Sequence, residues 1–353
     1  MRPESEPGGA AQGDGSSADG TEPQSPTAEP RDPSAARPIP RISAREQPRF
    51  GSPERRRQLA AAFTAQGADY DRLRPGYPLE QIVHALAAAA DPQHSGGDVI
   101  APGRDAVDLG AGTGKLALAL AECGLHVTAV DPSASMLAVA RQQHEAQHAG
   151  AATEPNRCQH AASGPTDGRD AQHPARCSAP RTDGGVRTVV ATAEDTGLPT
   201  ASADLVTAAQ AWHWFDTEAA SAEVCRLLRP GGVLLLLWNT MDVAVPWVHR
   251  YSRIMHAGDV QREDFTPPLG RGLRVDRRVA IRWEDPMRAS DLVDLARTRS
   301  YVAAAAPREQ ERVLTNLRWY LFDHLGHCPE DVVPLPYRTD AFLCRPMHAA
   351  PAA

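Results

Sequence analysis

Two apolar patterns alternate along the middle of the chain. Short, nearly continuous apolar runs occur at "DAVDL" (105–109), "HVTAVD" (126–131), "VRTVVATAE" (186–194), "ADLVTAAQAW" (203–212) and "VLLLLWN" (233–239). Between them lie longer stretches with apolar residues at helical spacing: "KLALALAECG", "PSASMLAVARQQ" and "TEAASAEVCRLLRPGG". An earlier one, "LEQIVHALAAAA", is opened by Pro78, a residue suited to a helix start. Apolar runs of strand length separated by amphipathic helices predict a parallel sheet covered on both faces. The fold class expected is therefore α/β and doubly wound, with ligands off the carboxyl ends of the strands.

The pattern has clear edges. Residues 1–48 are almost entirely Pro, Gly, Ser, Ala and charge, too little to bury against the entropy of ordering, so a disordered tail is expected. The folded domain is assigned to 49–349. Within it the periodicity stops at 143–185, read as a low-complexity disordered insert. That insert carries Cys158, His160, His173 and Cys177, but their spacing matches no zinc knuckle, and no metal is expected. Residues 240–330 are read as a helical, substrate-covering region, with Trp247, Arg299 and Tyr301 as possible acceptor contacts.

Composition narrows the partners. The chain has 353 residues, 42% hydrophobic and only 5% aromatic, with a formal net charge of -7. An acidic balance argues against a nucleic-acid-binding face. Lys115 is the sole lysine among 37 basic residues. Six cysteines without regular spacing make no disulfide framework. No apolar run reaches the roughly 20 residues of a membrane span, so no membrane partner and a cytoplasmic location are expected. The sequence leaves the oligomeric state open.

The chemistry concentrates in "AVDLGAGTGKLALALA" (106–121), a strand, a glycine turn and a helix. A phosphate loop requires Gly, four residues, then Gly-Lys-Ser/Thr; here Leu109 and Leu116 stand where the first Gly and the hydroxyl belong. A dinucleotide turn runs G-x-G-x-x-G, whereas Gly110, Gly112 and Gly114 bring the last glycine one residue early. Asp108 would repel a diphosphate yet could accept a hydrogen bond from a cationic ligand's amino group.

The pattern D-x-G-x-G-x-G resembles the first signature of class I S-adenosylmethionine-dependent methyltransferases. "VATAEDTGLPTASADLVTAAQAWHWFD" and "LLRPGGVLLLLW" are similar to later signatures of the methyltransferase type 11 group. The flanks "YDRLRPGYP" and "LPYRTDAFLCR" resemble small methyltransferases, including relatives of trans-aconitate methyltransferase. This resemblance implies a Rossmann-like, mostly parallel seven-stranded sheet with helices on both faces, and S-adenosyl-L-methionine as cofactor. It further implies that Asp108 and the turn of Gly110, Ala111 and Gly112 hold the methionine portion. Asp131, 21 residues after Gly110, would bind the ribose, and Pro132 and Met136 would pack near the adenine. The loop Thr192, Ala193 and Glu194 would reach the adenine edge, Gln210 would lie beneath the methionine portion, and Tyr70 would close from an N-terminal lid. Where many relatives have Asp, Thr192 offers only an uncharged acceptor.

A small-molecule methyl acceptor is expected, methylated by in-line displacement. His213, in "QAWHWFD", is the candidate general base; packing between Trp212 and Trp214 is its competing role. The motifs of DNA amino-group and cytosine C5 methylation are absent, which agrees with the acidic balance. Two alternatives stand beside this reading: a cofactor-binding protein of the same fold with lost or altered chemistry, and an NAD-dependent oxidoreductase.

Overall fold

The computed structural model describes residues 71–89, 99–151, 185–255 and 263–347. The expected tail, the stretch 152–184 of the expected insert with its Cys and His residues, and Tyr70 lie outside them. All described residues belong to one unit, Ile39–Ala353.

The elements, in chain order, are α1 (Leu79–Ala88), β1 (Asp105–Leu109), α2 (Lys115–Glu122), β2 (His126–Asp131) and α3 (Ala134–Ala151). They continue with β3 (Val186–Val190), β4 (Ala203–Ala209), α4 (Thr217–Leu227), β5 (Leu228–Met241) and α5 (Pro246–Ile254). Last come β6 (Leu273–Arg288), α6 (Ala289–Leu295), α7 (Ser300–Ala303), α8 (Pro307–Arg318) and β7 (Val332–Pro346). The seven strands form one sheet in the order β3-β2-β1-β4-β5-β7-β6. Neighbours from β3 to β5 pair in parallel, and β7 runs antiparallel to both β5 and β6. The fold is thus doubly wound and mostly parallel, as the alternating patterns predict.

Period-two alternation sends successive residues to opposite faces. Val107, Leu109, Val130, Leu234 and Leu236 meet Ala220, Val224 and Leu227 of α4 on one face. Ala106, Val127, Ala129, Leu235 and Leu237 meet Ile82 and Leu86 of α1 and Leu116 and Leu120 of α2 on the other. Because both faces are covered, Leu234 through Leu237 are all fully buried, which is why β5 reads as an unbroken apolar run. A third cluster joins Val248 and Tyr251 of α5, Leu292 of α6 and Leu314 and Leu317 of α8 to Met241, Leu335 and Tyr337. Met241 closes β5, so this helical cap sits off the carboxyl edge of the sheet.

Two sequence boundaries are corrected. Helix α3 continues to Ala151, into the expected insert, because polar tethers rather than apolar spacing hold its second half. Gln143 Nε2 donates to Asp71, Gln147 Nε2 to Glu122, and the Val186 amide donates to His144 Nε2. The region 240–330 is not wholly helical: it contains the 16-residue β6. This edge strand is half-exposed and rich in arginine, a composition that blunts edge pairing and weakens the strand signal.

Asp216 caps α4, its Oδ1 accepting from the amides of Glu218 and Ala219, each at 3.1 Å. Asp216→Ala should cost about 1 kcal/mol, seen as a fall of roughly 2–4 °C in the thermal midpoint. An unchanged midpoint would show that the cap does not stabilise the helix.

Candidate functional site

The strand order reverses beside β1, between β2 on one side and β4 on the other, and this is where doubly wound sheets open a crevice. The glycine turn follows β1 at that position. Gly110 has a φ of 66° and Gly114 one of 84°, a region that side chains enter at a cost. Space reinforces the requirement: a Cβ on Gly110 would lie 2.6 Å from Ala211 Cβ, and one on Gly114 2.6 Å from Ala140 Cβ. The turns after β1 and β4 therefore touch, and α3 packs directly on the start of α2. A Cβ on Gly112 would meet only Met136 Cε, at 3.5 Å.

Hydrogen bonds lock this turn to the end of β2. The Ala111 amide donates to the Val130 carbonyl at 3.0 Å, and the Gly112 amide to Asp131 Oδ2 at 3.0 Å. Asp131 Oδ1 takes the Ser133 amide at 2.8 Å. With the Gly114 amide donating to the Ala111 carbonyl at 2.9 Å, three of the turn's amides are engaged within the protein. Each Asp131 oxygen keeps lone-pair capacity for a further donor, such as a ribose hydroxyl. Burial raises the Asp131 pKa, and the amides of Ser133 and Gly112 oppose that shift.

Asp108 lies deeper, 1% exposed at the end of β1. It sits opposite Thr207 in the β1–β4 register and accepts from Thr207 Oγ1 at 2.7 Å. Burial raises its pKa to about 7, aided by the Asp131 charge and opposed by the bonds from Thr207 and the Ala117 amide. Among the described residues no cationic side chain is bonded to either carboxylate. A cationic ligand would supply the charge this pair lacks.

Gln210 closes β4 with a φ of 54°, a strained conformation for a residue with a side chain. Its amide donates to the Leu237 carbonyl at 2.9 Å, and its Nε2 to the Asn239 carbonyl at 2.5 Å. Asn239 in turn accepts from Thr339 Oγ1 at 2.6 Å and donates to the Gly76 carbonyl at 2.8 Å. His213 follows in a short 3-10 turn, Trp212–Trp214. Its Nδ1 accepts from Trp238 Nε1 at 3.4 Å. Since an indole N–H only donates, this bond leaves the proton of the neutral ring on Nε2.

The structure gathers Asp108, Gly110, Ala111, Gly112, Asp131, Met136 and Gln210 around the switch point. The other expected residues sit differently. Pro132 and Thr192 are exposed, while Ala193 is buried in the cluster beneath α4. Glu194 Oε1 accepts the Asp216 amide at 2.8 Å, tying the loop after β3 to the start of α4. Trp247 packs against the helical cap, and Arg299 is buried beside Tyr337, whose hydroxyl is pushed up to about 12 by burial. Asp71, Thr207 and Asn239 are site neighbours that sequence reasoning missed. Each is bonded across more than 40 residues of chain, and no local pattern marks such partners. A cavity of about 410 Å³ at the amino ends of β1, β2 and β3 contains none of the candidate residues.

Residues 107–234 match the family model described as a methyltransferase domain. An uncharacterized methyltransferase of Mycobacterium tuberculosis is 33% identical over 285 residues, covering 80% of this chain and 95% of its own. The chain belongs to the class I S-adenosylmethionine-dependent methyltransferases. An uncharacterized methyltransferase of Mycobacterium bovis matches to the same extent. An uncharacterized methyltransferase-like protein of Schizosaccharomyces pombe is 50% identical over 54 residues, 15% of this chain and 21% of its own. The glycine turn and the two buried carboxylates lie together at the switch point, on the carboxyl edge of the sheet. No helix among the described residues is long and apolar enough to cross a membrane. Nor, among the described residues, do three or more His, Cys, Asp or Glu side chains group as metal ligands.

Proposed function

We propose that the protein transfers a methyl group from S-adenosylmethionine to a small-molecule acceptor by in-line displacement. The observation that carries this reading is the pair of buried carboxylates, Asp108 and Asp131, with no cationic side chain bonded to either among the described residues. A sulfonium cofactor bearing an ammonium group complements that charge; a dinucleotide diphosphate does not. When bound, the cofactor supplies an activated carbon: the acceptor's lone pair bonds to it as the carbon–sulfur bond breaks, its electrons passing to sulfur.

The chain's own residues position and enclose. Asp131 accepts the ribose hydroxyls while fixing the Gly112 amide, and Met136 lies against Gly112 on the adenine side. Asp108 supports the methionine end from beneath, and Gln210 forms the floor between that end and the acceptor. Thr192 and the Ala193 amide flank the adenine edge, and Glu194 holds their loop in place. The cap of α5, α6 and α8 excludes water and selects the acceptor. His213 shapes the acceptor side: while Nδ1 holds the Trp238 indole proton, the ring has no free basic nitrogen.

Calorimetric titration with S-adenosylhomocysteine tests the cofactor, and transfer of a labelled methyl group into carboxylic acids, phenols and amines tests the chemistry. Binding followed by transfer to one class is expected. Binding without transfer to any class would favour a cofactor-binding protein of altered chemistry. No binding, with NADH bound instead, would overturn the reading.

A further inference from the structure

Four consecutive residues ahead of α1 bridge the two halves of the proposed site. Asp71 Oδ1 accepts from Thr113 Oγ1 at 2.7 Å, inside the glycine turn, and Oδ2 accepts from Gln143 Nε2 of α3 at 2.5 Å. Lys115 Nζ, at the start of α2, lies 3.8 Å from the same carboxylate. The next residue, Arg72, donates to Asp291 Oδ1 of α6 at 2.6 Å. Leu73 is buried in the apolar cluster of the helical cap. Arg74 NH2 donates to the Thr298 carbonyl at 2.7 Å. The segment is therefore fastened at one end to the cofactor-side turn and at the other to the helices over the acceptor side.

We propose that Asp71 is a positioning residue that couples the glycine turn to the helical cap, so that filling the cofactor site orders the acceptor side; this rests on the cofactor reading above. Thr113 is only 4% exposed, and its hydroxyl points at the strap, not away from it. A shift of the turn on cofactor binding is passed through this bond to Asp71. From there it reaches α6 and the Thr298 region within three residues of rigidly attached chain. A carboxylate suits the task because its two oxygens serve two elements at once. The Thr113 bond and the Gln143 bond stay in register only while α3 and the turn keep their present separation. Lys115, the chain's only lysine, adds its charge to this junction.

The test uses S-adenosylhomocysteine and the full chain, with calorimetry for affinity and hydrogen exchange for coupling. In the wild type, saturating ligand should slow exchange both in 110–116 and in 289–298. Asp71→Ala removes both acceptor oxygens, and should weaken binding roughly tenfold. At saturating ligand its glycine turn should still be protected while 289–298 no longer respond. Thr113→Val should reproduce this loss, and Thr113→Ser, which keeps the hydroxyl, should retain the response. A cap that still responds in Asp71→Ala or in Thr113→Val overturns the proposal, as does wild-type affinity in both. Failure of the wild type to bind S-adenosylhomocysteine overturns the cofactor reading instead, and is seen before any variant is compared.

Discussion

Asp131→Ala should reduce affinity for S-adenosylhomocysteine by roughly 100-fold or more, about 2.7 kcal/mol. Asp131 is 8% exposed and accepts from the amides of Gly112 and Ser133. Its removal leaves both donors without their acceptor, at about 1–3 kcal/mol for each group that stays buried. The Gly112 bond also holds the central glycine of the turn against the end of β2, so the loss spreads through the turn proposed to hold the cofactor. The contact proposed between Asp131 and the ribose disappears as well. Asp131→Asn separates these contributions: one oxygen still accepts an amide, but the new NH₂ faces a second donor. Its affinity should fall between those of the wild type and the alanine variant. Calorimetry at fixed pH and salt gives the affinities, and thermal unfolding without ligand reports the share owed to the folded state alone. An alanine variant that binds within threefold of wild type would remove Asp131 from the cofactor site.

The features legible in the sequence were those with a local period. β2 runs from His126 to Asp131, the limits of its apolar run, because both faces are covered and the strand ends at a buried carboxylate. The glycine turn could be read because three backbone positions there need positive φ, and glycine marks each. What escaped had no such period. The second half of α3 is held by Gln143, His144 and Gln147, polar residues that look like loop until their partners are known. β6 shows exposed arginines because it is an edge. Thr207 becomes a partner of Asp108 only through the β1–β4 register, 99 residues apart in sequence. Glu194 carried a ligand-like motif position, yet the Asp216 amide next to α4 is what its carboxylate meets. His213 follows the end of β4 in the sequence itself, but its tautomer follows from Trp238, a residue on another strand. Pattern located the crevice; long-range hydrogen bonds decide what each side chain in it can do.

Asp108→Asn should abolish a pH dependence of stability that the wild type carries between about pH 4 and pH 7. Burial raises the Asp108 pKa from 3.8 to about 7 in the folded protein. Below 3.8 the group is protonated in both states and its contribution to stability is complete. As the pH rises, the unfolded chain ionises first while the folded one keeps its proton, so folding loses free energy until the folded group ionises too. Above pH 7 the loss levels off at about 4 kcal/mol, three pKa units at ~1.4 kcal/mol each. Asn carries no charge to desolvate, so thermal midpoints of the two proteins should converge with rising pH or cross in favour of the variant. Cofactor binding should show the opposite dependence. A cationic ligand stabilises ionised Asp108, so wild-type affinity for S-adenosylmethionine should rise from pH 6 to pH 8, with proton release near pH 7. Calorimetry in buffers of different ionisation enthalpy measures that proton, and Asp108→Asn should release less of it while binding more weakly at pH 8. Asp131 lies close enough to raise the Asp108 pKa, so Asp131→Asn should move the wild-type transition to lower pH. Equal pH profiles in wild type and Asp108→Asn would mean that another group carries the titration, and that the buried carboxylate does not sense the cofactor's charge.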